Sequence, residues 1–474
     1  SGNSVLLAVV KAFTTVSGIL STMIMSHALS LELYGTFSQT NLIVTTATNI
    51  TALGLVDAVN YFYNRSNDEK VQKAYINTIM GFQTITGIVA GILIIVLSNN
   101  LVEYFNNPML FFWLIAFRPL FANLNVSLQY LQVSIGKAKS VAIRNAGFAT
   151  LRLVVYATAA WILKDITVVL IAFLVFEVII TVFFGWTFVK EKFMIKPYEI
   201  DWGKTKEILG YSIPMGIYVL TNSLCRDIDK MLIGGWYNTD QYAIYANCAT
   251  LLPFDIISAS FLTILIPILT RYFGEKDYIH GRILFKNYLK IGYYTAFTFT
   301  IACMILSKEM VLFLYGEKYL SGQAIFILYT IVDMIKFANM SIVLSASGKT
   351  KTLMICSLVS LVANAGCNVL FYHIFGFIGP AIATVILTAV LAEMSAKSLE
   401  TSVWKLIDWK EFLTFAIELS IVGVICFMAK RALEAVSVSP IIILCVLGGA
   451  YIAGIFCLNK KKIFSAMKEI NALH

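Results

Sequence analysis

Residues 166–189 read ITVVLIAFLVFEVIITVFFGWTFV, and this stretch decides the fold class. Glu177 is its one charged residue. At about 1.5 Å per residue, a helix of this length crosses the roughly 30 Å of hydrocarbon in a lipid bilayer. The apolar run is continuous rather than alternating, so it predicts a transmembrane helix and not a strand of a membrane barrel.

The same pattern recurs along the chain and predicts fourteen spans joined by short connections. Their ranges are 5–28, 36–62, 75–97, 109–134, 142–163, 166–189, 208–233, 241–270, 285–306, 322–346, 352–374, 379–400, 412–430 and 439–458. Hydrophobic residues make up 59% of the 474 and charged residues 13%, whereas a soluble protein has about 45–50% and about 25%. This composition excludes a soluble enzyme, a disordered chain and a small disulfide scaffold. We therefore predict an all-α polytopic membrane protein.

Lysine and arginine concentrate in alternate loops. One side of the membrane receives most of the 36 basic residues, including the cluster Lys190, Lys192, Lys196, Lys204 and Lys206. The loops of the other side hold Lys164, Lys308, Lys318, Lys430 and Arg431. Because cytoplasmic loops collect positive charge, the pattern predicts that both termini are cytoplasmic and that the number of spans is even.

Two pairs of segments suggest an internal repeat. GKAK at 136–139 joins spans four and five, and GKTK at 348–351 joins spans ten and eleven. LYGTF at 33–37 similarly resembles QYAIY at 241–245. A shift of six spans keeps the orientation, so these matches predict two pseudo-symmetric six-helix lobes. The predicted divisions are 1–200 for helices one to six, 201–405 for helices seven to twelve, and 406–474 for two further helices and a basic cytoplasmic tail.

Seven basic residues fall inside predicted spans: Lys11, Arg118, Arg152, Arg226, Lys230, Lys290 and Lys336. A Lys or Arg at mid-bilayer costs about 2.5–3.5 kcal/mol, so most are expected to face water, a counter-ion or a ligand. The densest group is Arg226-Asp227-Ile228-Asp229-Lys230. Helical spacing predicts that Asp227 pairs with Lys230 and Asp229 with Arg226. The group is either a self-neutralised patch or the wall of a cavity.

Arg118 and Arg152 have no acid within one helical turn, so both are expected to line a hydrated cationic cavity. Lys11 either joins them or extends to the inner surface. Lys336 follows Asp333 by three residues, which leaves an ion pair and a substrate role open. Such a cavity suits an anion, above all a phosphate, since arginine donates bidentately. The predicted substrate-binding residues are Arg226, Lys230, Arg152, Arg118, Lys11 and Lys336.

Nothing in the sequence points to catalysis or to a metal. The four His are scattered, and the eight Cys lie in apolar segments without a C-x-x-C pair. There is no P-loop, G-x-S-x-G or H-E-x-x-H pattern. We expect neither an enzyme nor an ATP-driven pump, with no cofactor and no nucleic-acid partner. Amide and tyrosine side chains in the spans, such as Asn60 and Tyr61, either hold sugar hydroxyls or bridge helices.

Four motifs in order resemble Wzx-type polysaccharide repeat-unit exporters of the multidrug/oligosaccharidyl-lipid/polysaccharide (MOP) superfamily. They are LELYG at 31–35, IDKMLIG at 228–234 followed by YAIY at 242–245, LYGEKY at 314–319, and SGKTK at 347–351 followed by FGFIGPAIAT at 375–384. The resemblance extends from span one to span twelve. One position differs, since members often carry Arg near the end of span one, where this chain has His27.

The resemblance implies a multi-pass flippase of the bacterial cytoplasmic membrane. Its substrate would be undecaprenyl-pyrophosphate carrying an oligosaccharide repeat unit for O-antigen or capsule, moved to the outer leaflet by alternating access. Further partners would be membrane lipids and a polysaccharide polymerase machinery. Coupling to Na⁺ or H⁺ is an open alternative to drive by the membrane potential. The candidate coupling or charge-pairing residues are Asp229, Asp227, Asn364, Asn368 and Thr384.

Three other functions remain as alternatives. A flippase for lipid II or a teichoic-acid-type glycan would share the mechanism and differ in cargo. A cation-coupled multidrug exporter of the same superfamily would need an acidic cavity rather than a basic one. A scaffold for a polymerase would not transport at all.

Overall fold

The structure is a computed structural model. It describes residues 2–65, 68–190, 194–252, 268–269, 271–272, 275, 277–336, 338, 350–397 and 403–472. The described residues form helices joined by short turns, and none of them lies in a strand. Contacts divide the chain into two units, residues 1–243 and 244–474. The predicted all-α membrane fold is thus confirmed, while the predicted boundaries at 200 and 405 stay predictions.

Eleven helices lie among the described residues of the first unit, and the last of them ends at Cys248, beyond the unit boundary at residue 243. They are α1 (Gly2–Ala28), α2 (Leu31–Ala52), α3 (Leu55–Arg65), α4 (Glu69–Val96), α5 (Ser98–Phe105), α6 (Met109–Ile115), α7 (Arg118–Ser134), α8 (Ala138–Thr158), α9 (Ile166–Lys190), α10 (Trp202–Trp236) and α11 (Thr239–Cys248). A π-helical turn, Ala159–Leu163, follows α8. Helix α7 lies at the centre of the unit, because α2, α3, α4 and α9 all pack on it.

The described residues of the second unit include eight further helices. They are α12 (Tyr278–Ile305), α13 (Ser307–Leu314), α14 (Gln323–Lys336), α15 (Thr350–Phe375), α16 (Gly379–Lys397), α17 (Val403–Leu406), α18 (Trp409–Ala435) and α19 (Pro440–Ala472). Helix α12 packs on α18 and α19 around Tyr294, Phe415 and Tyr451. Helices α15 and α16 form a second packed pair.

Nine helical segments among the described residues are long and apolar enough to span a membrane, or ten if the bent pair α12–α13 counts as one span. The axes of that pair differ by 84°. Parts of the predicted spans 241–270 and 322–346, and Gly348 and Lys349 of the second repeat loop, lie outside the described residues. The fold is therefore that of a polytopic membrane protein, and the number fourteen stays a prediction.

Aspartate caps four helices that begin at loops of the predicted cytoplasmic side. The capping bonds join Asp68 to the amide of Lys70, Asp201 to Gly203, Asp277 to His280 and Asp408 to Glu411. Each carboxylate satisfies an otherwise unpaired amide of a first helical turn and complements the helix dipole. The amide and the ring of His280 hold the pKa of Asp277 below its ordinary value.

Helices α2 and α3 form one membrane-crossing segment with a break at Leu53 and Gly54. Both residues have positive φ, 45° and 69°. The break is seated against α10, where a Cβ on Gly54 would lie 2.2 Å from the carbonyl oxygen of Ser212. Helix α10 contains Pro214 at this level, which removes one of its own backbone hydrogen bonds. The sequence pair Leu-Gly thus permits two backbones to touch inside the membrane.

We expect Gly54→Ala to lower the free energy of unfolding by at least about 2 kcal/mol, through overpacking and a φ that alanine disfavours. The measurement is thermal unfolding of purified protein in mild detergent. Gly147→Ala is the matched control, because a Cβ there meets no atom within 4 Å. Equal unfolding temperatures for both variants would show that the close α3–α10 contact is not required.

Candidate cationic site in the first unit

The charged group of α10 forms a compact cluster. Arg226 Nη2 lies 3.1 Å from Asp227 Oδ2, and Lys230 Nζ lies 3.7 Å from Asp227 Oδ1. Asp227 is buried, whereas the Arg226 side chain is 55% exposed. One carboxylate is therefore shared by two cations, and Arg226 is the most exposed charge of the cluster.

A polar contact with α2 fixes the position of this cluster. Ser223, one turn before Arg226, accepts hydrogen bonds from Asn49 Nδ2 at 2.5 Å and from Arg226 Nη2 at 3.2 Å. The guanidinium is thus held by a hydroxyl and a carboxylate at its inner edge while much of it stays accessible. A cation pre-positioned in this way can receive an oxyanion with little loss of side-chain freedom.

One of the two predicted pairings in this group is confirmed and the other is wrong. Asp227 pairs with Lys230 as expected, but Arg226 pairs with Asp227 and not with Asp229. Both carboxylates are buried, and the Arg226 guanidinium is already engaged by Asp227 and by Ser223. Asp229 Oδ1 instead accepts the backbone N–H of Lys230 at 2.8 Å.

Arg118 is not the unpaired cation that the sequence predicts. It begins α7, is 3% exposed, and donates to both carboxylate oxygens of Glu177 on α9, at 3.1 and 2.7 Å. Its guanidinium carbon also lies 4.5 Å from the ring centre of Phe173. The sequence did not reveal this ion pair because Glu177 is 59 residues away in the chain, on a different helix that packs against α7. Glu177, the single charge in the quoted apolar stretch, is that partner.

Arg152 on α8 is exposed, and none of the described acidic residues forms an ion pair with it. The buried Tyr156, one turn later, lies within electrostatic range of Arg152, Arg118 and Glu177. The structure therefore brings the two predicted cations of α7 and α8 to one neighbourhood. Arg152 keeps the free charge there and Arg118 does not.

The other predicted site residues lie elsewhere. Lys11 belongs to α1, but its side chain is outside the described part of the structure. Lys336 ends α14 of the second unit, where the nearby Asp333 accepts the amide of Leu252 at 2.7 Å.

The predicted coupling residues of the second unit are engaged in bonds along their own helices. In α15, Asn368 Nδ2 donates to the Asn364 side chain at 2.6 Å, and both residues are buried. Thr384 donates to the carbonyl of Pro380 in α16. Asp227 and Asp229 belong to the first unit, so these residues form no single site within either unit.

The sequence did not identify Asn49 and Ser223 as residues that position Arg226. Both are neutral and lie in apolar helices, where polar residues more often bridge helices than bind ligands. The high content of Thr, Asn and Gln in α2 is the sequence feature that could have indicated a polar contact there. Other residues of α2 also make buried hydrogen bonds, such as Gln39 with Asn107 and Thr51 with Asn123. Among the described residues, no three His, Cys, Asp or Glu side chains group as metal ligands would.

The sequence of residues 24–324, more than half of the chain, matches a family model of polysaccharide biosynthesis proteins. The chain belongs to this family. The predicted relation to proteins of polysaccharide pathways is thereby confirmed at the level of the family. None of the curated proteins matches the sequence.

Solved structures show the same fold at low sequence identity. The lipid II flippase MurJ in an inward closed conformation is 14% identical, with a TM-score of 0.76 over 97% of this chain and 100% of that one. An inward-facing multidrug transporter of the MATE family is 15% identical, with a TM-score of 0.64 over 80% and 92%. A MOP superfamily transporter from Pyrococcus furiosus, which has a binding pocket of reverse polarity, is 15% identical, with a TM-score of 0.58 over 83% of this chain and 92% of that one. This family member thus has the polytopic fold of MOP transporters.

Proposed function

We propose that this family member is a flippase for undecaprenyl-pyrophosphate-linked oligosaccharide repeat units. It would carry them from the inner to the outer leaflet of the bacterial cytoplasmic membrane by alternating access, with both termini cytoplasmic. The observation that carries the proposal is the exposed side chain of Arg226 on helix α10, which Ser223 and Asp227 hold in position by a hydrogen bond and an ion pair. The family and the MurJ-like fold support it.

The energetic argument starts from the cost of an exposed arginine among apolar helices. A bare guanidinium in hydrocarbon costs several kcal/mol, so Arg226 is expected to face water or an anion. A pyrophosphate satisfies it best, because phosphate oxygens accept two parallel bonds from one guanidinium. Lys230 and Arg152 would add charge, and Lys11 and Lys336 remain candidates. Arg118 is better explained as a structural cation.

An apolar groove beside the cluster suits the lipid part of such a substrate. It has a volume of about 650 Å³ and is formed by α2, α4 and α5, with Ile50 and Val89 on its walls. Met231, the residue after Lys230, also lines it. A phosphate on Arg226 would thus leave a polyprenyl chain next to a surface on which it can be buried.

The driving force follows from the charge of the cargo. A negative interior favours outward movement of an anion by about 2.3 kcal/mol per charge per 100 mV. Coupling to Na⁺ or H⁺ through Asp227 or Asp229, with Asn364, Asn368 and Thr384 as further polar groups, is the alternative. Delivery of the flipped unit to a polymerase would complete the pathway.

Direct binding in nanodiscs tests the proposed cargo. We expect saturable binding of an undecaprenyl-pyrophosphate-linked trisaccharide that weakens as salt is raised, and little binding of the cationic dye ethidium. Lipid II is measured in parallel. Preference for the dye would contradict the proposal in favour of a drug exporter, and preference for lipid II would change the cargo but not the mechanism.

A further inference from the structure

A surface of neutral polar side chains lies at the end of α3 in the first unit. We define it as the amide–tyrosine surface, formed by Asn60, Tyr61, Asn64, Tyr130, Ser134 and Tyr211. Asn60, Tyr61, Asn64 and Tyr130 are exposed. The adjoining loops carry the lysines that predict the cytoplasmic side. The surface therefore faces the compartment from which a substrate would enter.

Hydrogen bonds orient the amide of Asn60. Its Oδ1 accepts from Asn64 Nδ2 at 2.7 Å and from the hydroxyl of Ser134 at 2.9 Å. Its Nδ2 donates to none of the described residues. The two N–H bonds of this exposed amide thus have no partner among the described residues, and a sugar hydroxyl or acetamido oxygen can accept from them.

The tyrosines supply an aromatic platform beside this amide. Tyr61 and Tyr211 stack with ring centres 4.3 Å apart and planes 11° from parallel. Stacking fixes the ring of Tyr61, which nevertheless stays 44% exposed. A rigid, accessible ring with a hydroxyl edge binds the apolar face and the hydroxyls of a hexose at low entropic cost.

The cations around the surface are already engaged. Arg65 pairs with Glu207, and Lys204 lies 4.3 Å from the ring centre of Tyr75. Asp57, on the same helix as Tyr61, adds a half-buried carboxylate. The described arginine beside the surface is therefore paired with an acid, and Asp57 adds a carboxylate within electrostatic range of Tyr130 and Tyr211, which disfavours an acidic sugar.

We propose that the amide–tyrosine surface binds the uncharged sugars of the glycan on the cytoplasmic side, while the cationic cluster binds the phosphate. This assignment rests on the proposed function and adds the class of sugar to it. Substrate recognition is thus divided between two surfaces of the first unit: the amide–tyrosine surface binds sugar hydroxyls, and the cluster around Arg226 binds the charged phosphate.

The test compares two ligands in nanodiscs: undecaprenyl pyrophosphate alone, and the same lipid carrying a neutral trisaccharide. In the wild type the trisaccharide is expected to tighten binding about tenfold, the equivalent of about 1.4 kcal/mol. Tyr61→Ala and Asn60→Ala are expected to abolish this gain and leave binding of the bare lipid unchanged. Tyr61→Phe should keep most of it. Tyr198→Ala is the control, since Tyr198 is 76% exposed and lies outside the surface.

Each other outcome overturns the inference in a recognisable way. A gain that survives in both alanine variants, or that is absent from the wild type while the bare lipid binds, would remove the sugar site and leave the proposed function standing. Equal weakening of both ligands would assign these residues a structural role instead. A wild type that binds neither lipid would remove the proposed function and this inference with it.

Discussion

Arg226→Ala is expected to reduce the rate of glycolipid transport by about tenfold to a hundredfold, because one charged hydrogen bond to phosphate is worth about 1.5–3 kcal/mol. The side chain makes one ion pair, with its neighbour Asp227, and is half exposed, so its loss should leave the fold intact. Arg152→Ala should act in the same direction. The measurement is the initial rate of transport by purified protein in proteoliposomes, normalised to folded protein.

Two further variants serve as the conservative substitution and the control for this experiment. Arg226→Lys keeps the charge and loses the bidentate fork, so an intermediate rate is expected. Arg431→Ala removes a more exposed arginine, 69% against 55%, that also pairs with an acid, Glu434 at 3.7 Å, in α18 of the second unit. It should transport like the wild type. Wild-type rates in both Arg226→Ala and Arg152→Ala would contradict a phosphate role for these cations.

Arg118→Met is expected to lower the free energy of unfolding by about 3–5 kcal/mol, since it leaves the carboxylate of Glu177 without its partner between α7 and α9. The double variant Arg118→Met/Glu177→Leu should recover most of the loss, because no uncompensated charge then remains. Unfolding in detergent by heat or denaturant measures both. An equal loss in the single and double variants would show that the pair does not stabilise the fold as a unit.

Hydrophobic stretches alone predict the membrane class, because burial of the helix backbone in lipid constrains sequence more strongly than any packing detail. The ion pairs show where this local reasoning ends. Helical spacing finds the Asp227–Lys230 pair, but Arg118 and Glu177 meet only when α7 packs on α9. A partner on another helix leaves no periodic trace in the sequence.

Lys430 makes the same point in the second unit. The charge pattern places it in an outer loop, yet it lies inside α18, is 7% exposed, and is 2.8 Å from Glu309 of α13. Because Lys430 lies at the end of an apolar stretch, the sequence does not show that it forms a buried ion pair with Glu309. The break at Leu53 and Gly54 is a second example, since a single Gly in an apolar run does not reveal which helix it contacts.

Transport itself tests the central claim most directly. The protein is reconstituted in liposomes containing an undecaprenyl-pyrophosphate-linked trisaccharide with a terminal fluorophore, and a membrane-impermeant reductant quenches the label on the outer leaflet. We expect the wild type to expose the inner-leaflet pool to quenching and Arg226→Ala to do so far more slowly. A wild type that exposes this pool no faster than protein-free liposomes would contradict this claim.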